Sequence, residues 1–423
     1  MIEDVNFQRE INFQKSLVGK IPKDWEVSRV EDLGEVITGT TPSTSHEEYW
    51  NGEHPFVTPT DIMESKYVRT TERKVTQKGL QKGRLLPKDS VLVTCIASIG
   101  KIALAYEPCI TNQQINAIIC NKDVNPHYVY YALKSRANVL KSWAGRTTNP
   151  IVKKSLFEKF QVSLPRKMNE QRGIVGVLGV VDSAILKVDE VIWKIERLKK
   201  GLMQQLLTRG IGHEEYKDIP IGKIPKTWQT VKLGEVLELC QYGLSVKLGE
   251  KGKYRILKMD DIVNGVAVPD NAKYVDLDEH TFSNFKLEKG DILFNRTNSY
   301  ELVGRTGIFL LDGDYTFASY LIRLRPKKEI SDSQFLTYYM VFSNNRLRQL
   351  ATRAVHQANI NATNLQSFII PVPPVPEQRK IAQTLVTLDK KLELERKEKV
   401  KLERVKRGLM GLLLTGKMRV KVD

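Results

Sequence analysis

Several short stretches of this chain have residue types that could do chemistry. Gly411 to Met418, GLLLTGKM, comes close to the phosphate-cradling GxxxxGK[ST] loop. Met418 stands where that loop needs a hydroxyl for magnesium, and the stretch ends an apolar helix instead of following a strand. Glu215-Tyr216-Lys217 has the ExK form of many nucleases, but no suitable aspartate pattern precedes it in its charged linker. Asn149-Pro150 lacks the second proline and aromatic of an NPPY amino-methyltransferase motif. No GxGxxG follows a strand, no GxSxG elbow surrounds Ser98, and the 6 histidines form no HExxH pair. Cys95, Cys109, Cys120 and Cys240 have no zinc spacing and read as reduced thiols of a cytosolic protein. The expectation is a non-catalytic chain with no metal or cofactor of its own.

Charge points to a different kind of work. There are 66 basic and 49 acidic residues, a net +17. A chain this basic usually meets a polyanion, nucleic acid first. Residues 166–210 and 376–423 together carry +11 of that excess. The remaining segments are nearly balanced, so a DNA-facing surface on them must be a local patch. No stretch reaches the ~18 to 20 apolar residues of a membrane span, and the polar N-terminus does not read as a signal peptide.

The elements that would position any reader occur twice. GKIPKDW at Gly19–Trp25 returns as GKIPKTW at Gly222–Trp228. LGEV at Leu33 returns at Leu233, and Pro165, Glu170, Gln171, Arg172 return as Pro373, Glu377, Gln378, Arg379. ERLKKGLMQQLLTRG from Glu196 returns as ERVKRGLMGLLLTGK from Glu403, an offset of 207 residues. Between the anchors, 37–160 and 237–370 keep a fainter pattern. LLPKDSVLV near Leu86 parallels LEKGDILF near Leu287, ASIGKIA near Ala97 parallels ELVGRTG near Glu301, and HYVYYAL at His127 parallels QFLTYYM at Gln334.

Each half therefore predicts a mixed α/β domain followed by a long helix. Strands are expected at Ser90–Thr94, Ile102–Tyr106 and Ile115–Cys120, and again at Asp291–Phe294, Thr306–Leu310 and Tyr320–Arg325. Shorter helices are expected near 127–141 and 333–351. The boundaries read as 1–165 (first domain), 166–210 (first helix), 211–375 (second domain), 376–418 (second helix) and a 419–423 tail. Ile174, Leu178, Val181, Ile185, Val188, Ile192 and Ile195 alternate steps of four and three, a coiled-coil seam. The second copy runs Ile381, Leu385, Leu388, Leu392, then Glu395 and Lys399, Leu402 and Leu409. The two helices are expected to pack antiparallel, giving a pseudo-two-fold molecule. Glu395 and Lys399 would either fix register or reach out to solvent.

With these anchors in view, the chain resembles the specificity subunits of type I restriction–modification enzymes. The resemblance rests on the doubled IPxxW element, the proline shortly before Glu-Gln (Pro165 and Pro373) and the GLM–LLT element, and runs from about Gly19 to Lys417. It implies two target recognition domains, each reading half of a bipartite duplex, on helical spacers. It implies two modification subunits that methylate adenine with S-adenosylmethionine, and restriction subunits that use ATP and magnesium. None of those cofactors would sit on this chain, and cytoplasmic work follows.

Base readers are usually Arg, Lys, Asn, Gln, Ser or Thr on loops. The first-domain candidates are Thr40, Thr41, Ser43, Thr44, Lys66, Arg73, Lys74, Ser98, Lys101, Arg146, Thr147, Thr148 and Asn149. The second-domain candidates are Gln241, Tyr242, Ser245, Lys247, Arg255, Lys258, Arg296, Asn298, Arg305, Arg353, His356 and Gln357. Asn112-Gln113-Gln114 reads more readily as a polar lead-in to a strand. Trp25 and Trp228 read as framework core, because they repeat. The competing reading is a coiled-coil scaffold that joins protein partners without touching bases.

Overall fold

The computed structural model describes residues 6–145, 150–269, 271–353 and 357–421, with the Arg353 side chain excluded. The chain forms two units, residues 1–189 with 397–423, and residues 190–396. The division cuts through the middle of two long helices, Met168–Arg209 and Val375–Leu413. Each unit therefore holds one mixed α/β domain, the first half of the helix that follows it, and the last half of the other helix.

The sheets repeat as the sequence does. In unit 1 five strands lie in the order Gly34–Thr38, Ile115–Cys120, Val91–Thr94, Ile102–Ala105 and Tyr67–Val68. In unit 2 the order is Leu237–Tyr242, Leu321–Pro326, Ile292–Asn295, Thr306–Phe309, Val266–Ala267, with Ile262–Val263 added at the edge. A three-stranded sheet accompanies each: Ile110–Thr111, Trp50–Val57 and Arg73–Val75 in unit 1, and Tyr315–Phe317, Tyr254–Leu257 and Lys273–Val275 in unit 2. The central strands, such as Val91–Thr94 and Ile292–Asn295, are buried along their whole length. That burial explains their continuous β-branched and apolar runs. The expected shorter helices are each broken in two, Pro126–Ser135 with Ala137–Trp143, and Ser333–Phe342 with Asn344–Arg348.

The repeated motifs are joints. Trp25 Nε1 donates to Glu170 Oε2 at 3.2 Å, and Trp228 Nε1 to Glu377 Oε2 at 3.1 Å. Both tryptophans are buried, as expected of framework core. The neighbouring glutamines clamp a second point. Gln171 accepts from Asn125 N at 2.8 Å and donates to Pro165 O at 2.9 Å. Gln378 accepts from Asp332 N at 2.8 Å and donates to Pro373 O at 2.8 Å. Asn125 and Asp332 are the N-caps of the helices Pro126–Ser135 and Ser333–Phe342. One Glu-Gln pair thus ties an indole, a strand end and a helix start together in each unit.

The GLM–LLT ends supply core. Leu413 and Leu414 pack with Trp25, Ile174 and Leu178 in unit 1, and Leu206 and Leu207 with Trp228, Ile381 and Leu385 in unit 2. Within each unit the two helix halves run antiparallel. In unit 1, Lys406 Nζ is 2.5 Å from Asp182 and Lys399 Nζ 2.7 Å from Asp189. In unit 2, Lys199 Nζ is 2.5 Å from Asp389 and Arg396 2.7 Å from Glu196. Lys399, one of the polar interruptions of the seam, is thus ion-paired and does not simply extend into solvent. Asp182 also accepts from Tyr131 Oη, and Asp389 from Tyr338 Oη at 2.7 Å. The pairs Tyr131/Tyr338, Asp182/Asp389 and Lys199/Lys406 all stand 207 residues apart.

The segment read as a tail begins with the strand Met418–Lys421, antiparallel to Asn6–Arg9. Arg419 there reaches Glu170, Glu10 and Asp24. The Arg419 guanidinium holds the Asp24 carboxyl below its ordinary 3.8. The Glu10 carboxyl is held below 4.5, first by the Asn12 amide and then by Arg419. No helix among the described residues is long and apolar enough to cross a membrane.

Two outcomes follow. Leu207→Ala and Leu414→Ala should each cost about 2–5 kcal/mol in urea unfolding, since both side chains are buried. The Glu10 and Asp24 carboxylates beside Arg419 are depressed, so their stabilisation is complete at neutral pH and lost as pH falls through the lowered values. The stability gap between wild type and Arg419→Met should therefore narrow as pH drops below about 4. A gap that stays constant to pH 3 would contradict this ion cluster.

Candidate nucleic-acid interface

In each unit several strand ends and connecting loops meet at one rim. In unit 1 the loop from Gly39 follows Gly34–Thr38, and Gly39 N donates to Ile115 O at 3.0 Å. Asn112 N donates to Val57 O at 3.1 Å, and Cys95 N to Gln114 O at 2.8 Å. Val152 N donates to Cys95 O at 2.8 Å. These bonds bring together the loops starting at Gly39, Thr58, Cys95 and Asn112, and the segment at Pro150.

Unit 2 repeats the bonds one for one. Gly243 N donates to Leu321 O at 3.1 Å, Ala318 N to Leu257 O at 2.8 Å, Arg296 N to Tyr320 O at 3.0 Å, and Ile360 N to Arg296 O at 2.9 Å. Gly39 and Gly243 are glycines for the same reason. A Cβ at Gly39 would lie 2.2 Å from Asn112 O, and one at Gly243 2.3 Å from Ala318 O. Gly100 and Gly304 both take positive φ, +85° and +82°, at the hairpin turn. The equivalences Lys101/Arg305, Gln113/Ser319, Gln114/Tyr320 and Pro59/Met259 follow from this shared backbone.

The rim of unit 1 gathers many of the expected readers. Thr40, Thr41, Ser43 and Thr44 lie on the first loop, and Ser98 and Lys101 on the hairpin. Thr41 Oγ1 donates to Gln113 Oε1 at 2.8 Å, and Lys101 Nζ to Pro59 O at 3.1 Å. Ser43 shares a 2.7 Å bond with Ser45. Arg73 and Lys74 are exposed on the strand Arg73–Val75, where Arg73 lies over the Trp50 ring at 3.8 Å. Lys66 is not brought to the rim. It donates to Tyr131 Oη at 3.2 Å beside the helix pair, and burial holds its ammonium below the usual lysine range. Arg146, Thr147, Thr148 and Asn149 lie outside the described residues.

The rim of unit 2 differs in chemistry. Arg296 lies over the Tyr242 ring at 4.7 Å, donating to Ser319 O at 3.3 Å and Asn359 Oδ1 at 3.4 Å. Tyr242 Oη accepts from Ala362 N at 2.7 Å. Asn298 Oδ1 accepts from Ser299 N at 2.8 Å, and Arg305 is exposed on the hairpin. Ser245, Lys247 and Gln357 are exposed. Lys258 is paired with Asp261 at 3.2 Å, and Arg255 with the Tyr315 hydroxyl at 2.8 Å. Gln241 is used within the sheet, where it bonds Arg323. Arg353 is on the short strand Thr352–Arg353, its side chain outside the description, and His356 lies outside the described residues.

Two residues reach the rims that the sequence did not put forward. Gln113 is exposed beside Thr41, and Tyr320 is 45% exposed beside Arg296. The signal for Gln113 was its position two residues before the strand Ile115–Cys120, beside another loop, which a linear reading takes for a lead-in.

The stretches with catalytic look-alikes are structural. Glu215 pairs with Lys226 at 3.3 Å, and Lys217 donates to Lys226 O at 3.1 Å within a hairpin. Leu413 of GLLLTGKM ends the second long helix and Met418 starts a strand. A cleft of about 710 Å³ in unit 2, lined by Gln204, Arg209, Lys223 and Arg346 among others, has no carboxylate, imidazole or thiol in its lining.

Comparison with known proteins agrees with this architecture. The family model for the type I restriction modification DNA specificity domain matches twice, over residues 22–197 and 225–404. The MjaVIII specificity subunit of Methanocaldococcus jannaschii is 30% identical over 100% of this chain and 99% of its own length. The EcoKI specificity subunit of Escherichia coli is 23% identical over 88% of this chain and 83% of its own. The crystal structure of the S subunit from M. genitalium matches with a TM-score of 0.59 at 16% identity, over 95% of this chain and 99% of the other, a likeness of fold. With the domain matched once in each unit and relatives aligned end to end, the chain belongs to the type I restriction–modification specificity-subunit family.

Proposed function

We propose that the chain is the DNA-reading subunit of a type I restriction–modification assembly, with one half of a bipartite duplex site read by the rim of each unit. The observation that carries this is the contrast between frame and rim. The Trp–Glu–Gln joints and the Tyr–Asp–Lys clusters repeat residue for residue, while the residues on the rims differ. A scaffold for two copies of one protein partner would have no reason to keep its frame and change only its loop edges. The helices act as spacer and provide the dock for two modification subunits. Catalysis belongs to those partners and to the restriction subunits, with S-adenosylmethionine, ATP and magnesium bound there.

The test is binding to a randomised duplex pool by the full chain assembled with its modification subunits. An enriched motif in two parts separated by a fixed gap is expected. Affinity should fall steeply with salt, since each neutralised phosphate contributes about 0.9 to the slope of log K against log salt. Exchanging residues 37–160 for those of a relative should change one half-site and leave the other. A single uninterrupted motif, or binding indifferent to sequence, would favour the scaffold reading. Magnesium-dependent cleavage by the chain alone would overturn its non-catalytic assignment.

A further inference from the structure

We propose that the two rims read opposite base-pair chemistries: unit 1 reads an A·T pair through the Gln113 amide, and unit 2 reads a G·C pair through the Arg305 guanidinium. The proposal rests on the DNA-reading function above and adds which bases each unit takes.

Gln113 sits at the turn between Thr111 and Ile115, exposed. Its neighbours' amides are consumed locally. Asn112 Nδ2 donates to Gln114 Oε1 at 2.9 Å, and Asn112 Oδ1 accepts from Gln114 N at 3.1 Å. Gln113 instead is oriented by the 2.8 Å bond from the Thr41 hydroxyl to its Oε1. That bond occupies one lone pair. A second lone pair and the –NH2 remain, so one edge still offers an acceptor beside a donor. This edge complements adenine, whose major-groove face offers the N6 donor and the N7 acceptor. The cation on the adjacent hairpin, Lys101, is tethered to Pro59 O at 3.1 Å. In unit 1 the amide corner is therefore available and the cationic corner is held.

Unit 2 inverts this on the same backbone. The position of Gln113 is Ser319, a short hydroxyl whose carbonyl already receives Arg296 at 3.3 Å. The position of Lys101 is Arg305. The position of Pro59 is Met259, and its carbonyl accepts from Asn295 Nδ2 at 3.3 Å instead of from the hairpin cation. Arg305 is exposed, and its side chain makes no hydrogen bond or ion pair among the described residues. A guanidinium with its donors free fits the O6 and N7 acceptors of guanine. Thr41 is accordingly a positioning residue, and Gln113 and Arg305 are specificity-determining.

The experiment is duplex selection by the full chain with its modification subunits, the half-sites being assigned by the 37–160 exchange. Gln113→Ala should make one A·T position of the unit 1 half-site degenerate, with a loss of discrimination of about 5- to 150-fold. Thr41→Val should weaken the same position and no other. Arg305→Ala should make one G·C position of the unit 2 half-site degenerate, and Arg305→Gln should move that position toward A·T. The near-isosteric Thr41→Val and the Arg305→Gln variant keep the test decisive if an alanine variant unfolds. The proposal is overturned if the variants enrich the wild-type motif unchanged, or if they weaken all sequences equally, as phosphate contacts would. It is also overturned if the unit 1 half-site holds no A·T pair or the unit 2 half-site no G·C pair. A wild-type assembly that enriches no motif would instead refute DNA reading itself.

Discussion

A buried carboxylate must find donors or forfeit several kcal/mol, and this constraint organises both units. Glu170 is 7% exposed, and its two oxygens take the Trp25 indole and Arg419. Glu377 takes the Trp228 indole, the Ile211 amide and the His213 ring. The adjoining glutamine uses both ends of its amide, on the N-cap residue of a helix and on a proline carbonyl shortly before the long helix. Changing any one partner strands a buried polar group. The tryptophan, the Glu-Gln pair and the capped helix can therefore only be kept together, which is why they recur as a set.

The same logic explains why each unit draws on both helices. Asp182 belongs to the helix that follows its own domain, whereas Lys406 comes from the other; in unit 2 the roles fall to Asp389 and Lys199. In unit 1 the leucines of the GLM–LLT end, Leu413 and Leu414, likewise complete a core begun by residues nearly the full chain away, such as Trp25. Unit 1 closes only when residues 397–423 return to it. Much of its stability is thus carried by contacts of long sequence separation, whose formation requires closing a long loop at an entropic cost. The antiparallel register is specified by charge as well as by apolar packing. A slip of one turn would set Lys406 against Leu178 or Leu186 instead of Asp182.

The frame was legible in the sequence because its interactions are carried by residue types that cannot be exchanged. An indole paired with a buried carboxylate, or a proline before a Glu-Gln, has few substitutes, so the pattern survives at offsets of 203 to 208 residues. The strands Val91–Thr94 and Ile292–Asn295 were legible for the related reason that full burial admits only apolar side chains. The domain boundaries were less so. Periodicity marks where a helix starts and stops, yet it says nothing of which half packs with which domain.

The rims resisted a linear reading because the same residue types do opposite work there. Lys66 and Lys101 are both lysines in polar loops, yet one is drawn under Tyr131 and only the other arrives at the edge. Gln241 and Gln113 are both glutamines at strand ends, the first just inside Leu237–Tyr242 and the second just before Ile115–Cys120, yet Arg323 occupies the first and a threonine hydroxyl orients the second. The difference is set by the partner that lies across the gap, Tyr131 for Lys66 and the Pro59 carbonyl for Lys101, Arg323 for Gln241 and Thr41 for Gln113, each on an element far away in sequence. On the proposed reading, a base reader is a side chain that the surrounding hydrogen bonds leave with an unused edge. It can be found only after those bonds have been counted, and the two units, on one backbone, leave different groups unused.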